Sequence, residues 1–127
     1  MRKAFICPTK YVQGENELLN LGYFVQTFGQ SALLIAHPDD VNRVKDQLAA
    51  TEKQFGIHFI ESGFCGECSR KEVERLKKVA EKNHCDCTIG LGGGKAIDTA
   101  KCVAEGNALI IVATIAPTDA PTSHSAV

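Results

Sequence analysis

The stretch Asp86–Lys101, DCTIGLGGGKAIDTAK, constrains this chain more than any other. A short apolar run meets four glycines between positions 90 and 94, and Lys95 then opens a segment with a helical pattern. Glycine backbone lets a diphosphate approach closely, and the first N–H groups of a helix are unpaired at the positive end of its dipole. The sequence therefore predicts an anion site here, to which Lys95 adds a full charge.

The spacing of this motif separates it from two common nucleotide loops. A Walker A loop has four residues between its first glycine and the Gly-Lys pair, followed by Ser or Thr. Here three residues separate Gly90 from Gly94-Lys95, and Ala96 follows. The usual Rossmann fingerprint sits on the first strand of its domain. A glycine-rich strand-to-helix turn without a ligand is the alternative interpretation.

Apolar patterns along the chain predict strands that alternate with helices. The predicted strands are Lys3–Cys7, Ser31–Ala36, Ile57–Glu61, Cys85–Ile89 and Leu109–Ile115. The predicted helices are Glu15–Phe28, a helix from Pro38 or Asp39 to Gly56, Arg70–Lys82 and Lys95–Glu105. Ser69 and Glu72 form a capping box at the start of the third helix. Tyr11 and Gly14 are predicted to lie in a loop. This order predicts a Rossmann-like α/β fold, an open and mostly parallel sheet with helices on both faces.

Ligands of such sheets bind beyond the carboxyl ends of the strands. The glycine turn and the tail after Ile115 both begin at the carboxyl end of a predicted strand. They therefore border the same crevice if these two strands are neighbours in the sheet.

Length and charge narrow the class of protein. The 127 residues suit a single domain over 1–127, with an irregular tail over 116–127. A net charge of −1 and few aromatic residues give no support for a nucleic-acid surface. No apolar run approaches a membrane span, and the N-terminal apolar run of four residues is too short for a signal peptide. We therefore predict a cytoplasmic protein.

Six cysteines allow more than one interpretation. Cys65 and Cys68 have the C-x-x-C spacing of redox and zinc sites, and Cys85 with Cys87 offers a weaker C-x-C second half. Structural zinc and redox chemistry are therefore both open. The favoured alternative is that Cys85 and Cys87 are small buried side chains of a strand.

Four motifs occur together in order: PTKYVQG, GECS, GLGGGKAIDTAK and PTDAPTS. Together they resemble the N-terminal part of the glycerol dehydrogenases, within the iron-containing, metal-dependent alcohol dehydrogenase family. The resemblance covers essentially the whole chain. It implies an NAD-binding domain of an oxidoreductase that, when intact, converts glycerol and NAD to dihydroxyacetone and NADH. The small polyol is the implied partner, and a homo-oligomer is expected because a domain separated from its usual neighbour exposes apolar surface.

The resemblance also implies roles for individual residues. The diphosphate turn matches Gly92, Gly93, Gly94, Lys95 and Ala96; the adenine and ribose side matches Thr114, Ile115, Ala116 and Pro117; the nicotinamide half matches Ser123 and Ser125. Asp119 matches an aspartate that contacts the polyol, and a carboxylate accepts hydrogen bonds from hydroxyl groups. From the residues alone, an Asx-turn or helix N-cap beside Pro121 is the alternative for Asp119.

The chain departs from the family pattern after the second strand. There the family usually has an aspartate that binds the ribose hydroxyl groups, whereas this chain has His37. Asp39 or Asp40 is a candidate substitute. Because an imidazole does not repel a 2′-phosphate as a carboxylate does, we predict tolerance of NADP. Pro117 stands where the family often has serine, and HSAV after Ser123 also departs from the pattern.

The resemblance implies a catalytic zinc or iron that this chain does not supply. The family holds it through one aspartate and two histidines in a helical C-terminal domain, and the four histidines here do not match those ligands. We therefore expect a truncated or fragmentary chain that is inactive by itself. The alternatives are a non-catalytic nucleotide-binding or assembly module and, less favoured, a cysteine-based zinc or redox protein.

Overall fold

A computed structural model of the chain describes residues 9–13 and 15–113, and within them strands alternate with helices. The strands are β1 (Thr9–Gln13), β2 (Ser31–Ile35), β3 (His58–Glu61), β4 (Cys87–Gly92) and β5 (Leu109–Ala113). The helices are a 3₁₀ helix (Glu15–Asn20), α1 (Leu21–Gln26), α2 (Pro38–Arg43), α3 (Lys45–Phe55), α4 (Arg70–Lys82) and α5 (Gly94–Ala104). The predicted strand Lys3–Cys7, Gly14 and all residues from Thr114 onward lie outside the described residues.

The five strands form one sheet in the order β1-β5-β4-β2-β3, and every neighbouring pair is parallel. Strand β4 is central, and all six of its residues are buried. Strand β5, the most apolar run of the sequence, lies between β4 and β1, as its composition predicts. The expected parallel α/β sheet is therefore confirmed.

Helices cover both faces of the sheet. Alternate side chains of each strand point to opposite sides, so both faces carry apolar side chains that the helices bury. On one face Leu34, Ile89 and Ile110 pack with residues of the 3₁₀ helix, α1 and α3. On the other face Leu33 and Ile111 pack with residues of α4 and α5. Each fully buried aliphatic side chain contributes about 1.5–3 kcal/mol through removal of apolar surface from water. The two layers together hold the carboxyl ends of the strands in fixed positions.

Helix α4 has the predicted bounds. The Ser69 hydroxyl accepts a hydrogen bond from the backbone N–H of Glu72 at 3.1 Å, so the predicted cap is present. The buried Leu76 anchors the apolar face of α4, and the opposite face is charged. At 13 residues α4 is the longest helix in the described part of the chain, where no helix has the length and apolar character needed to cross a bilayer.

The interpretation of Tyr11 as a loop residue is wrong. Tyr11 lies in β1, where it pairs with Ile111 in a parallel register. Strand β1 is at the edge of the sheet, and only Val12 of its five residues is buried. An edge strand with one buried side chain has too little apolar alternation to be recognised from sequence.

The single helix predicted over Glu15–Phe28 is also wrong, because a contact from α3 divides it. The Thr51 hydroxyl donates to the Leu19 carbonyl at 3.0 Å and accepts from the Gly22 N–H at 2.8 Å. Gly22 also lies against Phe55, where an added Cβ would be 2.6 Å from the ring. Thr51 is completely buried. This side chain satisfies backbone groups on both sides of the junction, so the chain changes from 3₁₀ to α geometry there.

The predicted helix ending at Gly56 consists of two helices, which is a second correction. Val44, with ψ 18°, separates α2 from α3 and is completely buried. The start at Pro38 and the end at Gly56 are as predicted. Gly56 adopts φ 65°, a left-handed conformation that glycine accommodates without strain.

Candidate functional site

The central strands β2 and β4 define a switch point in the sheet. They are neighbours, yet the chain leaves β2 toward α2 and α3 on one face and leaves β4 into α5 on the other. In open α/β sheets this reversal opens a crevice at the carboxyl ends of the two strands. The glycine turn after β4 lies at one side of this crevice, and the β2–α2 junction lies at the other.

The glycine turn exposes backbone at the start of α5. Gly93 is the N-cap of the helix, and the Ile97 N–H donates to the Gly93 carbonyl at 3.1 Å. The helical N–H groups of the first turn, from Gly94 to Ala96, have no acceptor within the helix. A Cβ built on Gly93 or Gly94 would meet no described atom within 4 Å. Free donors, open space and the positive end of the helix dipole fit a bound anion.

Two other glycines of the motif have structural roles. A Cβ on Gly90 would lie 2.6 Å from the Cβ of Ala100, so Gly90 lets α5 pack closely on β4. Gly92 has φ +119° and ends the strand. A Cβ on Gly92 would lie 2.6 Å from Oδ2 of Asp40, which shows that the two sides of the crevice touch here. Strand β4 therefore begins two residues later than the predicted Cys85–Ile89 and continues through these two glycines.

Lys95 is held by a carboxylate from the connection between β3 and α4. Its Nζ lies 3.2 Å from Oε2 of Glu67, and both side chains are about two-thirds exposed, at 66% and 71%. Such an exposed pair contributes little to stability because water screens it. Glu67 was not among the predicted site residues, although it belongs to the GECS motif. Its contact places a negative charge beside the predicted anion site.

The connection that carries Glu67, residues 62–69, is anchored by Arg75. The Arg75 guanidinium donates to both carboxylate oxygens of Glu72 at 2.7 and 2.9 Å and to the carbonyls of Ser62 and Gly63, each at 3.1 Å. Glu72 also accepts from the Cys65 N–H at 3.1 Å. These hydrogen bonds, that with Arg75 above all, outweigh desolvation and lower the pKa of Glu72 to about 2. A charged Glu72 therefore fixes the loop next to α5.

The β2–α2 junction carries the residues predicted for ribose recognition. His37 is the N-cap of α2, and its Nδ1 accepts the Asp39 N–H at 3.1 Å. The Asp39 side chain is 91% exposed, whereas Oδ1 of Asp40 is paired with Arg43 at 2.9 Å. Asp39 is thus the carboxylate more accessible to solvent, and Asp40 is the one that contacts the glycine turn.

The remaining predicted site residues lie outside the described residues. They are Thr114, Ile115, Ala116, Pro117, Asp119, Ser123 and Ser125. Ala113, where β5 ends, pairs with Gly92 at the end of β4. The strands of the glycine turn and of the tail are therefore neighbours, which meets the condition for both segments to leave at one crevice.

The two cysteine pairs lie at opposite ends of the parallel sheet. Cys65 and Cys68 follow the carboxyl end of β3, whereas Cys85 and Cys87 lie at the amino end of β4. Desolvation raises the pKa of Cys87 to about 12, as expected for a small buried side chain of a strand. The same expectation is wrong for Cys85, which precedes β4 and is only half-buried. No group of three or more His, Cys, Asp or Glu side chains that could hold a metal is found in the described part of the chain.

A cavity of about 700 Å³ also lies at the amino ends of the strands, away from the crevice. Its lining includes Lys77, Glu81, Asp86 and Glu105, a mixture of both charges. Parallel sheets bind their ligands at the other end, where helix N-termini point. We therefore place the candidate site at the glycine turn and not in this cavity.

Comparison with known proteins gives a consistent result. The family model of the iron-containing alcohol dehydrogenases matches residues 8–127. The glycolaldehyde reductase of Halobacterium salinarum is 38% identical over 129 residues, covering 100% of this chain and 35% of its own length. The glycerol dehydrogenase of Pseudomonas putida is also 38% identical, covering 97% of this chain and 34% of its own. The chain spans about a third of the length of these curated relatives.

Solved structures agree with the sequence comparison. A probable glycerol dehydrogenase from Sinorhizobium meliloti is similar with a TM-score of 0.67 and 36% identity, over 90% of this chain and 30% of that one. The glycerol dehydrogenase of Schizosaccharomyces pombe gives a TM-score of 0.70 with 29% identity, over 84% of this chain and 27% of that one. These similarities confirm the resemblance on which the site residues were assigned.

Proposed function

The chain belongs to the iron-containing alcohol dehydrogenase family, and from that premise we propose that it supplies the NAD-binding part of a polyol dehydrogenase. The observation that carries the proposal is the exposed glycine turn at the switch point of the sheet. There the backbone at Gly93 and Gly94 borders open space at the start of α5. A diphosphate carries the charge and the acceptor oxygens that this arrangement fits.

The residues of the turn bind and orient the cofactor in this proposal. The first-turn N–H groups of α5, from Gly94 to Ala96, donate to the diphosphate oxygens. Lys95 neutralises their charge once it leaves Glu67. NAD, when bound, supplies the hydride acceptor. Thr114, which follows Ala113 directly, begins the segment that we assign to the adenine and ribose side.

The substrate residues remain proposals because they lie beyond Ala113. We assign Asp119 to a hydroxyl of the substrate and Ser123 and Ser125 to the nicotinamide half. Two relatives are named for different small hydroxylated compounds, glycerol and glycolaldehyde. We therefore propose a small polyol or hydroxyaldehyde as the substrate class, with glycerol as the first candidate.

The zinc or iron implied by the resemblance does not fit the described residues, which contain no suitable group of ligands. No step in this chain is assigned to a metal. We propose instead that the chain binds the cofactor without turning substrate over by itself, since its described residues offer no ligand set for the catalytic metal. A single domain over 1–127 and a cytoplasmic location remain predictions.

A ligand series tests the cofactor site. NAD, ADP-ribose and adenosine are compared for their effect on the thermal unfolding midpoint of the intact chain. NAD and ADP-ribose should each raise Tm, by roughly 8 °C at a hundredfold excess over Kd, and adenosine should raise it much less because it lacks the diphosphate. Equal shifts from adenosine and ADP-ribose, or no shift from any of them, would contradict a diphosphate site.

Cofactor preference is a separate proposal at His37. The imidazole caps α2 and lies 3.6 Å from Oδ2 of Asp39, whose side chain is exposed and is our candidate for the ribose hydroxyls. We propose that the chain tolerates NADP. The Kd values for NAD and NADP should lie within about tenfold of each other, and His37→Asp should weaken NADP selectively. A strong NAD preference in the unaltered chain would reject tolerance.

The second candidate function is a nucleotide-binding or assembly module without catalysis. The described residues combine an exposed glycine turn with no group of metal ligands, which favours it. Two assays test the lack of catalysis that both candidates share: glycerol-dependent reduction of NAD, and glycolaldehyde-dependent oxidation of NADH, each with added zinc. Binding of NAD without turnover in either assay agrees with both candidates, whereas turnover by the chain alone would overturn both. Gel filtration tests the expected homo-oligomer.

A further inference from the structure

A cavity of about 330 Å³ lies beside the β2–α2 junction, between the carboxyl ends of β2 and β3 and one side of α2. Apolar side chains form one part of its lining: Leu34, Ala36, Pro38 and Val41. Polar side chains form the rest: Asn42, Lys45, Glu61 and Ser62. Because Pro38 directly follows His37, the cavity adjoins the junction at which we place the ribose of the cofactor.

The polar side of this cavity carries hydrogen-bond donors that the fold does not use. Ser62 is 6% exposed, and its hydroxyl is buried without a hydrogen-bond partner in the described part of the chain. Burying such a group without a partner destabilises a fold, so native structures seldom leave one unpaired. The side chains of Asn42 and Lys45 also make no hydrogen bond or ion pair with residues 9–13 and 15–113. A hydroxyl, an amide and an ammonium group are therefore all available to a ligand of this cavity.

The connection 62–69 links the cavity to His37. It begins with Ser62 and Gly63, which line the cavity, and Arg75 donates to the backbone carbonyl of each at 3.1 Å. Farther along, a Cβ built on Gly66 would lie 3.9 Å from Cδ2 of His37. One anchored segment therefore borders both the cavity and the imidazole that stands where a carboxylate would repel a 2′-phosphate.

We propose that this cavity binds a phosphate monoester, the 2′-phosphate of NADP. Lys45 pairs with the charge of the phosphate, and the Asn42 amide and the Ser62 hydroxyl donate to its oxygens. In dinucleotide-binding folds a basic residue near the ribose contact accommodates this phosphate. The inference rests on the proposed NAD site, and it gives the proposed tolerance of NADP a set of residues that hold the additional phosphate.

Glu61 opposes an anion in the same cavity, because its carboxylate lines the cavity together with Lys45. Neither side chain forms an ion pair with another described residue. A phosphate should therefore be attracted by Lys45 and repelled by Glu61. Removing these two charges one at a time should change the affinity for NADP in opposite directions, and the affinity for NAD in neither case.

Calorimetric Kd values of NAD and NADP at low salt test the site in the unaltered chain and in variants of its lining. Lys45→Gln should weaken NADP binding by about three- to tenfold, and Glu61→Gln should strengthen it by about two- to fivefold. Both should leave the Kd of NAD unchanged, since NAD has no 2′-phosphate. Lys53→Gln, at an exposed lysine in the last turn of α3, is the matched control and should change neither Kd.

Ser62→Ala separates ligand binding from a structural role. Because the Ser62 hydroxyl has no partner in the described structure, its removal should leave the Tm of the free chain unchanged or higher. The same variant should weaken NADP binding and leave NAD binding unchanged. A lower Tm of the free chain with unchanged NADP binding would show that the hydroxyl serves the fold and not a ligand.

The NAD measurements distinguish failure of this inference from failure of the proposed function. If NAD binds but Lys45→Gln leaves the ratio of the two Kd values unchanged, the 2′-phosphate site is overturned and the NAD site stands. The same direction of change in Lys45→Gln and Glu61→Gln, or an equal effect of Lys53→Gln, would also overturn it. Inorganic phosphate is a further arm: a Lys45-dependent rise in Tm without any effect of Lys45→Gln on NADP would assign the cavity to free phosphate instead. Absence of NAD binding to the unaltered chain would reject the proposed function itself.

Discussion

Asp40, in the first turn of α2, lies against the backbone of Gly92 at the end of β4, where an added Cβ would stand 2.6 Å from its Oδ2. This contact joins the two sides of the crevice at the switch point. It also explains why a glycine ends β4, since φ there is +119°. The backbone conformation disfavours a residue with a side chain, and the Asp40 carboxylate would have to shift to admit one.

We expect Gly92→Ala to lower the free energy of unfolding by about 2–4 kcal/mol, because backbone strain and the contact with Asp40 add. Gly63→Ala is the matched control, since Gly63 has φ +67° but open space around a built Cβ. It should cost only about 1 kcal/mol. Urea denaturation measures both variants. Equal losses would mean that the contact with Asp40 contributes nothing.

Glu67 should compete with the cofactor for Lys95. Removing its charge in Glu67→Gln leaves Lys95 available to the diphosphate, so NAD should bind roughly two- to fivefold more tightly at low salt. Glu105→Gln is the matched control, because Glu105 pairs with Lys77 near the other end of α5. It should leave the Kd unchanged. Weaker binding in Glu67→Gln would show that Glu67 positions Lys95 rather than competing for it.

The lowered pKa of Glu72 predicts a pH dependence of stability. The pKa of Glu72 is about 2 in the folded chain and about 4.5 when unperturbed. The stabilisation of the folded chain by Glu72 is therefore complete above pH 4.5 and is lost as the pH falls toward 2. Glu72→Gln should therefore be less stable than the unaltered chain at pH 7, by about 1–3 kcal/mol, and the difference should shrink on acidification. Glu81→Gln, on the exposed part of the same helix, is the control. A difference that is constant between pH 7 and 2.5 would contradict this account.

Asp86 joins the start of β4 to the start of β2. Its Oδ2 accepts the backbone N–H groups of Gln30 at 2.8 Å and Ser31 at 3.1 Å. We expect Asp86→Ala to cost about 1–3 kcal/mol, since both donors lose a charged acceptor. Asp98→Ala, an exposed site on α5, should cost less than about 0.5 kcal/mol. Thermal denaturation compares them, and similar losses would argue against this role for Asp86.

Local signals made most of the fold predictable. Helix α4 has an apolar stripe through Leu76 and a Ser69 cap, so its bounds follow from the sequence. By contrast, Tyr11 lies in an edge strand that buries a single side chain, and the division at Leu19 and Gly22 depends on Thr51 from a different helix. Contacts of this second kind join residues far apart in the chain and leave no local pattern.

The residues of the candidate site also divide into those with a local sequence signal and those joined only by contacts between distant segments. Gly93, Gly94 and Lys95 were identifiable because a phosphate-binding turn is contiguous in sequence. The contacts of Glu67 with Lys95 and of Asp40 with Gly92 were not, since each joins separate segments that only the sheet order brings together. A charged residue in a GECS motif gives no local signal of its partner. Sequence therefore identified the turn, and the fold identified the residues around it.

Calorimetric titration of NAD into the unaltered chain and into Gly94→Ala tests whether the glycine turn binds the diphosphate. Gly94 is the first residue of α5 and has open space around a built Cβ, so alanine should fold equally well and leave Tm unchanged or slightly higher. The added methyl group occupies the space that the diphosphate needs. We expect measurable binding by the unaltered chain and at least about tenfold weaker binding by Gly94→Ala, a loss of about 1.4 kcal/mol. No heat from the unaltered chain, or the same Kd for both proteins, would contradict it.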